Sequence, residues 1–216
     1  MAEQVGGFFI TLEGPEGAGK TTQLKLLSQY LEQQNIAHII TRDPGGTALG
    51  KPIRRIVLHS ETAINPITEL LLYEADRAQN VAEIIKPALT KGKVVFCDRY
   101  IDSTLAYQGY GRNIELKLIA LLNGIASQNL RPDLTILFDI ESTLGLARLH
   151  PSGHDRLERE ALSFHQKVRH GYLELAAQEP QRFRIIDASR PMSTVQDEFR
   201  RLVMEELAKR KHPATI

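Results

Sequence analysis

The sequence predicts an α/β protein in three layers, a five-stranded parallel sheet with helices on both faces. Three observations carry that expectation. Five short β-rich runs, beginning at Phe8, Ala37, Val94, Leu134 and Arg182, alternate with stretches of helical periodicity. The run Val94-Val95-Phe96-Cys97 is apolar without alternation and ends in Asp98, as a strand buried on both faces does. Phe8-Phe9-Ile10-Thr11-Leu12 leads through a glycine-rich turn into a segment where Leu24, Leu27 and Leu31 recur at helical spacing.

Each element then follows in order. Asn35 ends the first helix, and Ala37-His38-Ile39-Ile40-Thr41 is the second strand. The Pro-Gly-Gly core of Arg42-Asp43-Pro44-Gly45-Gly46-Thr47 marks a loop. After a short helical pattern from Leu49 to Leu58, Asn65-Pro66 opens a long helix, as an N-cap followed by proline at the first helical position. Leu70, Tyr73, Arg77 and Val81 share one stripe of that helix, which ends near Pro87-Ala88-Leu89. Beyond the third strand, the polar, glycine-containing stretch from Tyr100 to Asn113 is expected to be a loop, and Glu115 to Ser127 a helix. Leu134 to Ile140 is the fourth strand, and a helix starts near Ser142. His150-Pro151-Ser152-Gly153-His154 is expected to be mobile, with a helix from Arg156 to Ala177 after it. Arg182 to Asp187 is the last strand, Ser193-x-x-Gln196 has the form of a capping box, and Lys209 to Ile216 is expected to fray. No linker, repeat or low-complexity tract interrupts the pattern, so residues 1–216 are expected to form a single domain.

Composition narrows the function. With 216 residues, 42% apolar content and a formal net charge of +1, the chain can bury an ordinary core but has no global field to draw nucleic acid or an anionic membrane. One cysteine, Cys97, excludes a disulfide framework and a cysteine-rich zinc site. Met1-Ala2-Glu3-Gln4 lacks the basic start and apolar core of a signal peptide, and no apolar run approaches a membrane span. The expectation is a soluble cytoplasmic protein.

Gly14-Pro15-Glu16-Gly17-Ala18-Gly19-Lys20-Thr21-Thr22 fits G-x-x-x-x-G-K-[ST] and sits between a strand and a helix, the context that motif needs. Glycines let backbone N–H groups curl around an anion, and the helix N-terminus adds its positive end. Lys20 would reach the β/γ-phosphates of a nucleoside triphosphate, and the Thr21 hydroxyl would ligate Mg²⁺. The predicted architecture is therefore the three-layer P-loop NTPase fold. Asp43-Pro44-Gly45-Gly46 matches the D-x-x-G of GTPases, but no N-K-x-D accompanies it to read guanine. A motor ATPase ends its metal-binding strand in Asp-Glu, whereas this one ends Asp98-Arg99-Tyr100, and an arginine there suits an anionic second substrate. Tyr73 and Arg77 lie one helical turn apart, where an aromatic face and a guanidinium can stack a flat ring and bond its edge. Together with Arg42 and Arg99 they point to a nucleotide.

The chain also resembles thymidylate kinase, the family that phosphorylates dTMP. The resemblance rests on the ordered set Gly14 to Thr22, Arg42-Asp43-Pro44-Gly45-Gly46-Thr47, Ala75-Asp76-Arg77-Ala78-Gln79, Asp98-Arg99-Tyr100 and Ser103-Thr104-Leu105-Ala106-Tyr107-Gln108-Gly109. It continues through Arg131-Pro132-Asp133-Leu134 and Asp155-Arg156-Leu157-Glu158 to Gly171-Tyr172-Leu173-Glu174-Leu175, roughly residues 8 to 190. It implies that Arg42 and Arg99 hold the monophosphate, that Tyr73 stacks on thymine and that Arg77 bonds the base edge. Ser103 or Thr104 and Gln108 would lie near the base, and Tyr107 against C2′, where a ribose hydroxyl would clash. Glu16, an acid placed inside an anion-binding loop, would take the substrate 3′-hydroxyl. Asp98 would hold Mg²⁺, while Asp43 stands where the family usually has Glu.

The resemblance further implies ATP as co-substrate and a homodimer formed through helices away from the site. Some members place a catalytic arginine directly after the P-loop acid. Here that position is Gly17, so a lid at about 148–159 is expected to supply the charge, with Arg148 and Arg156 first and Arg159 third. The implied reaction is in-line transfer of the γ-phosphoryl group from ATP-Mg to dTMP, in dTTP synthesis. The alternatives are a kinase for another nucleoside monophosphate or a deoxynucleoside, or a nucleotide-binding regulatory module without turnover.

Overall fold

The computed structural model describes residues 6–149 and 155–211. The segment His150 to His154 and the end of the tail beyond Lys211 lie outside the described residues. In chain order the elements are β1 (Phe8–Glu13), α1 (Lys20–Gln33), β2 (His38–Arg42), α2 (Gly50–His59) and α3 (Pro66–Asn80). The last continues as a π-helical turn, Val81–Ile85, into α4 (Lys86–Thr90). Then come β3 (Val94–Asp98), α5 (Ile101–Thr104), which runs on as the π-helical Leu105–Gly111, α6 (Leu116–Ser127) and β4 (Leu134–Asp139). The chain closes with α7 (Ser142–Ala147), α8 (Leu162–Gln178), β5 (Phe183–Asp187) and α9 (Met192–Lys211).

The strands form the expected five-stranded sheet in the order β2-β3-β1-β4-β5. All pairings are parallel, with Leu12 opposite Asp98 and Glu13 opposite Leu137. Both faces are covered, which is why the strands carry few polar residues. Phe8, Ile10 and Leu12 pack with Leu24, Leu27 and Leu31 of α1 and Val195, Phe199 and Val203 of α9. Phe9, Val95 and Cys97 face the opposite way, against Val81, Ile85, Leu89 and Tyr100. On that second side Leu137 and Phe183 meet Val168, Tyr172 and Leu175 of α8. Because side chains alternate along β1, Thr11 and Glu13 also lie on this second side.

The Asn65 side chain caps α3 as expected, accepting from the Ile67 N–H at 2.9 Å. Three local expectations are corrected. Tyr100 to Asn113 is not a loop, because Ile101 to Gly111 is helical throughout. Its glycines are contact points rather than turns: a Cβ on Gly111 would lie 2.6 Å from the Phe164 ring, and one on Gly109 would strike Leu116. The helix placed at Arg156 starts only at Leu162. Residues just before it are held in a turn by the Asp155 carboxylate, which accepts from the Leu157 and Glu158 N–H groups at 2.9 Å each. Ser193 is not an N-cap, since α9 already begins at Met192 and the Val195 N–H bonds the Pro191 carbonyl at 3.1 Å. Gln196 is buried instead of reaching back to a cap.

Candidate active site

The site is built where β1 and β3 end side by side. Past Glu13 the chain turns through Gly14 (φ +139°), Gly17 (φ +69°) and Gly19 (φ +82°), conformations that a side chain rarely tolerates, and α1 starts at Lys20. Lys20 Nζ donates to the Gly14 and Pro15 carbonyls at 2.8 and 2.9 Å. Its burial and the nearby Arg99 lower its pKa to about 8, against the pull of Glu16, Asp98 and Glu13. The Thr21 hydroxyl donates to Asp98 Oδ2 at 2.9 Å, joining the two residues expected at the metal. These groups line a polar cavity with Gly17, Ala18, Gly19, Thr22, Arg42 and Arg99.

A second cavity adjoins the first, lined by Tyr73, Arg77, Ser103, Thr104, Tyr107, Gln108 and Leu157. Every residue expected on the acceptor side except Arg42 lies there. Arg42 instead lines the phosphate cavity and a neighbouring one between α1 and β2. Glu16, Arg54 and Arg99 line both the phosphate and the acceptor cavity, so they stand at the junction. Arg99 Nη2 donates to Glu16 Oε1 at 2.7 Å, and the Tyr107 hydroxyl donates to the same oxygen at 2.6 Å. The Arg99 guanidinium sits over the Tyr107 ring, 5.0 Å from its centroid. Burial opposes ionisation of Glu16, but Arg99 and Lys20 outweigh it and hold the carboxyl at about 2.

Arg77 is 1% exposed and largely committed. Nε donates to Asp43 at 2.7 Å, Nη1 to Glu74 at 2.9 Å and to Asn123, and Nη2 to the Tyr100 carbonyl at 3.3 Å. Those bonds use four of a guanidinium's five N–H groups, leaving one on Nη2. Its aromatic neighbour is Tyr100, with Cζ 5.5 Å from the ring centroid, rather than Tyr73. Asp43 pairs Arg77 through Oδ2, while its Oδ1 is buried without a hydrogen-bond partner and the residue lines both cavities. Ser103 donates to Glu13 at 2.6 Å, Thr104 to the Ile101 carbonyl at 3.2 Å, and Gln108 to Glu69 at 2.7 Å.

The lid arginines are tied elsewhere. Arg148 donates to the Ala188 and Ser189 carbonyls at 2.8 and 3.2 Å and borders a separate cavity on the outer side of the loop, with Gly17, Gly19 and Met192. Arg156 donates to the Val57 carbonyl at 2.9 Å and to Glu69, beside the acceptor cavity. Arg159 is exposed. Neither Arg148 nor Arg156 stands among the residues that line the Lys20 cavity.

Several site residues escape a reading of the sequence. Arg54, on α2, donates to the Pro44 carbonyl at 3.0 Å and lines both cavities. Glu69, 0% exposed, holds Gln108, Arg112 and Arg156. A signal for it existed, because Glu69, Tyr73 and Arg77 follow one another at four-residue spacing on the same stripe of α3. Glu13 and Tyr172 meet across 159 positions, a juxtaposition no local pattern encodes.

The geometry finds its counterpart among known proteins. A family model described as thymidylate kinase matches residues 12–199. A curated thymidylate kinase of Carboxydothermus hydrogenoformans is 55% identical over 182 residues, 84% of this chain and 89% of that protein. One of Deinococcus radiodurans is 50% identical over 200 residues, covering 92% and 97%. The crystal structure of thymidylate kinase from Ehrlichia chaffeensis superposes with a TM-score of 0.76 at 34% identity, covering 92% of this chain and 98% of that one. The chain belongs to the thymidylate kinase family.

Proposed function

We propose that the chain phosphorylates dTMP to dTDP, taking the γ-phosphoryl group of ATP. The observation that carries this reading is the pair of adjoining cavities, one built on the phosphate loop and one walled by Tyr73 and Tyr107, which share Glu16, Arg54 and Arg99 at their junction. A donor phosphate chain on the loop and an acceptor monophosphate beside Arg99 would meet there. A dTMP phosphate oxygen attacks the γ-phosphorus, the bond to the bridging oxygen breaks, and ADP leaves. The acceptor is already anionic, so the protein has little proton transfer to perform and acts by positioning and charge neutralisation.

In this reading Gly14, Pro15, Glu16, Gly17, Ala18, Gly19, Lys20, Thr21 and Thr22 bind the donor phosphates, with Lys20 the principal cation. Arg42, Arg54 and Arg99 hold the acceptor phosphate. Tyr73 stacks on the base, the remaining N–H of Arg77 and the Gln108 and Thr104 side chains meet its edge, and Tyr107 lies against the sugar with Glu16 taking the 3′-hydroxyl. Thr21 and Asp98 offer a hydroxyl and a carboxylate at the phosphate cavity, an all-oxygen pair that fits Mg²⁺ completing its shell with water and phosphate. Among the described residues no group of three or more His, Cys, Asp or Glu offers a competing metal site. Bound at Thr21 and Asp98, Mg²⁺ would neutralise charge on the donor phosphates.

From their placements we assign Arg148 to the donor nucleotide and Arg156 to seating the lid over dTMP, leaving Lys20, Arg54 and Arg99 nearest the transferred group. Residues 1–216 act as one unit with a lid at about 148–159. Exposed apolar side chains on three neighbouring helices, Ile56 of α2, Ile67 and Leu71 of α3, and Leu121 and Ile125 of α6, support a homodimer through that face. No helix among the described residues is long and apolar enough to cross a membrane. We place the protein in the cytoplasm, where its free buried thiol, Cys97, stays reduced. A steady-state panel of dTMP, dUMP, UMP, CMP and AMP with ATP-Mg tests the function. Best turnover on anything but a thymine nucleotide defeats it, as does failure to form ADP and dTDP.

A further inference from the structure

Arg99 stands at the centre of the site in a backbone conformation that non-glycine residues avoid, φ +71°. Such a residue persists only where its surroundings over-determine it. The Arg99 N–H bonds the Leu12 carbonyl at 3.0 Å, and the next N–H, that of Tyr100, donates to Glu13 Oε1 at 2.8 Å. The other oxygen of Glu13 collects two hydroxyls, Ser103 at 2.6 Å and Tyr172 at 3.1 Å. Those same hydroxyls lie 2.8 Å apart, within hydrogen-bond reach of each other, and accept from Arg99 Nη1 at 3.4 and 3.0 Å, while Nη1 also donates to the Gly14 carbonyl at 3.0 Å. One carboxylate, 0% exposed, thus grips the backbone beside Arg99 with one oxygen and, through two relays, its head with the other.

We propose that Glu13 is the positioning residue for Arg99, and that the orientation of the Ser103 and Tyr172 hydroxyls transmits its ionisation state to the guanidinium. The proposal rests on Arg99 holding the acceptor phosphate. With Glu13 ionised, the two hydroxyl hydrogens go to Oε2 or, for one of them, to the neighbouring hydroxyl, and both oxygens keep lone pairs turned to Nη1. With Oε2 protonated, its hydrogen takes a lone pair of one hydroxyl, whose own hydrogen turns to the other hydroxyl, so fewer lone pairs are left for Arg99 Nη1. The charged and titratable groups facing Glu13 are Asp102 of α5, Arg99, Lys20 of α1, Cys97 of β3 and the Tyr172 phenol of α8. Arg182 pairs Asp102 through two bonds, at 2.7 and 2.9 Å. Burial and the Asp102 charge raise the Glu13 pKa to about 7, inside the range where the enzyme can be assayed.

The test is kcat and both KM values between about pH 5.5 and 9 for the wild type, Glu13→Gln, Glu13→Asp, Tyr172→Phe and Arg99→Ala. In Glu13→Gln the amide meets the hydroxyls as a donor and takes lone pairs that they otherwise turn to Arg99. At pH 8 the dTMP KM should rise about 10–100-fold, with the ATP KM within about twofold of wild type. The wild-type improvement in dTMP KM through about pH 7 should vanish, leaving only ionisation of the substrate phosphate near pH 6. Glu13→Asp should keep that limb, and Tyr172→Phe should reproduce a few-fold of the KM rise. A Glu13→Gln enzyme with wild-type dTMP KM and pH profile overturns the proposal, and so does an equal rise in both KM values. Should Glu13→Gln not fold, a wild-type dTMP KM in Tyr172→Phe overturns it. Arg99→Ala separates the layers: an unchanged dTMP KM there removes the phosphate reading itself, whereas an impaired Arg99→Ala beside a normal Glu13→Gln removes only the proposal.

Discussion

Gly17 occupies the position where the resemblance implies an arginine in some members of the family, and the structure gives it a reason to be glycine. A Cβ there would lie 2.6 Å from the carbonyl carbon of Gly145 and closer still to its oxygen, whereas ordinary contact begins at 3.4 Å. The loop and α7 would have to part by about 0.8 Å or more, and neither contact atom is on a flexible side chain. The residue also has φ +69°, which costs a residue with a side chain about 1–2 kcal/mol. Forced overpacking adds about 1–3 kcal/mol, so Gly17→Ala should cost about 2–5 kcal/mol. For a chain of this size that is a Tm loss of roughly 4–20 °C. Gly19→Ala is the internal control, because Gly19 has φ +82° but nothing within 4 Å of its Cβ position. It should lose only the conformational part, about 1–2 kcal/mol. Activity should follow, since α7 leads directly into Arg148 and a shift of about an ångström in such a site can cost about 100-fold. Thermal unfolding of both variants and kcat with ATP and dTMP decide the matter. A Gly17→Ala protein no less stable than Gly19→Ala, with kcat within about twofold of wild type, would refute the reasoning.

Other outcomes follow from the site and the surface. Arg148→Ala should raise the ATP KM and Arg156→Ala the dTMP KM, the latter with a lower Tm because Glu69 loses a buried partner; steady-state kinetics with each substrate varied, and a drop in kcat alone for both would return the lid arginines to the transferred phosphate. Glu16 has its carboxyl depressed from 4.5 to about 2, so it contributes stability above about pH 4.5 that is lost as pH falls toward 2; Glu16→Gln should remove up to about 3 kcal/mol at neutral pH and flatten acid unfolding in that window. Glu13 and Asp76 behave oppositely, both raised to about 7 by burial and a neighbouring acid, so their contribution is present at low pH and lost as pH rises through 7. Melting curves should therefore show a higher Tm at about pH 5.5 than at pH 8, and a Tm that rises instead would contradict the burial of these acids. Leu121→Asp on the exposed face of α6 should turn a dimer into a monomer by light scattering while leaving the fold intact.

What could be read from the chain depended on how local each feature is. The phosphate loop was legible because strand, glycines, lysine and helix are contiguous, and its chemistry needs that order. Tyr73 and Arg77 were legible as a stripe, yet their division of labour was not. Arg77 is drawn into the interior by Asp43, Glu74 and Asn123, which come from three separate segments. The stretch from Tyr100 to Asn113 misled because glycine and polar residues signal a loop unless tertiary contacts claim them. Here Gly109 and Gly111 admit Leu116 and Phe164, while Ser103 and Gln108 are polar because they reach buried carboxylates. Ser193 and Gln196 misled in the same way, as Gln196 is used for burial and not for capping.

In the proposed function, the two carboxylates that the sequence concealed divide the acceptor site between them. Glu13 holds the phosphate end, through Tyr100, Ser103 and Tyr172 around Arg99. Glu69 holds the base end, through Gln108, and it also carries Arg112 and Arg156. Arg156 belongs to the turn that Asp155 organises, so Glu69 ties that turn to Gln108. In the proposed function, a nucleotide filling the Tyr73 and Gln108 cavity would act on the same buried Glu69 that pairs Arg156. Both acids are nearly inaccessible and each must be matched by donors, so neither can shift without leaving a buried charge unpaired. That cost is the physical reason why the acceptor cavity stays formed around residues drawn from α3, the helix after β3, and α8.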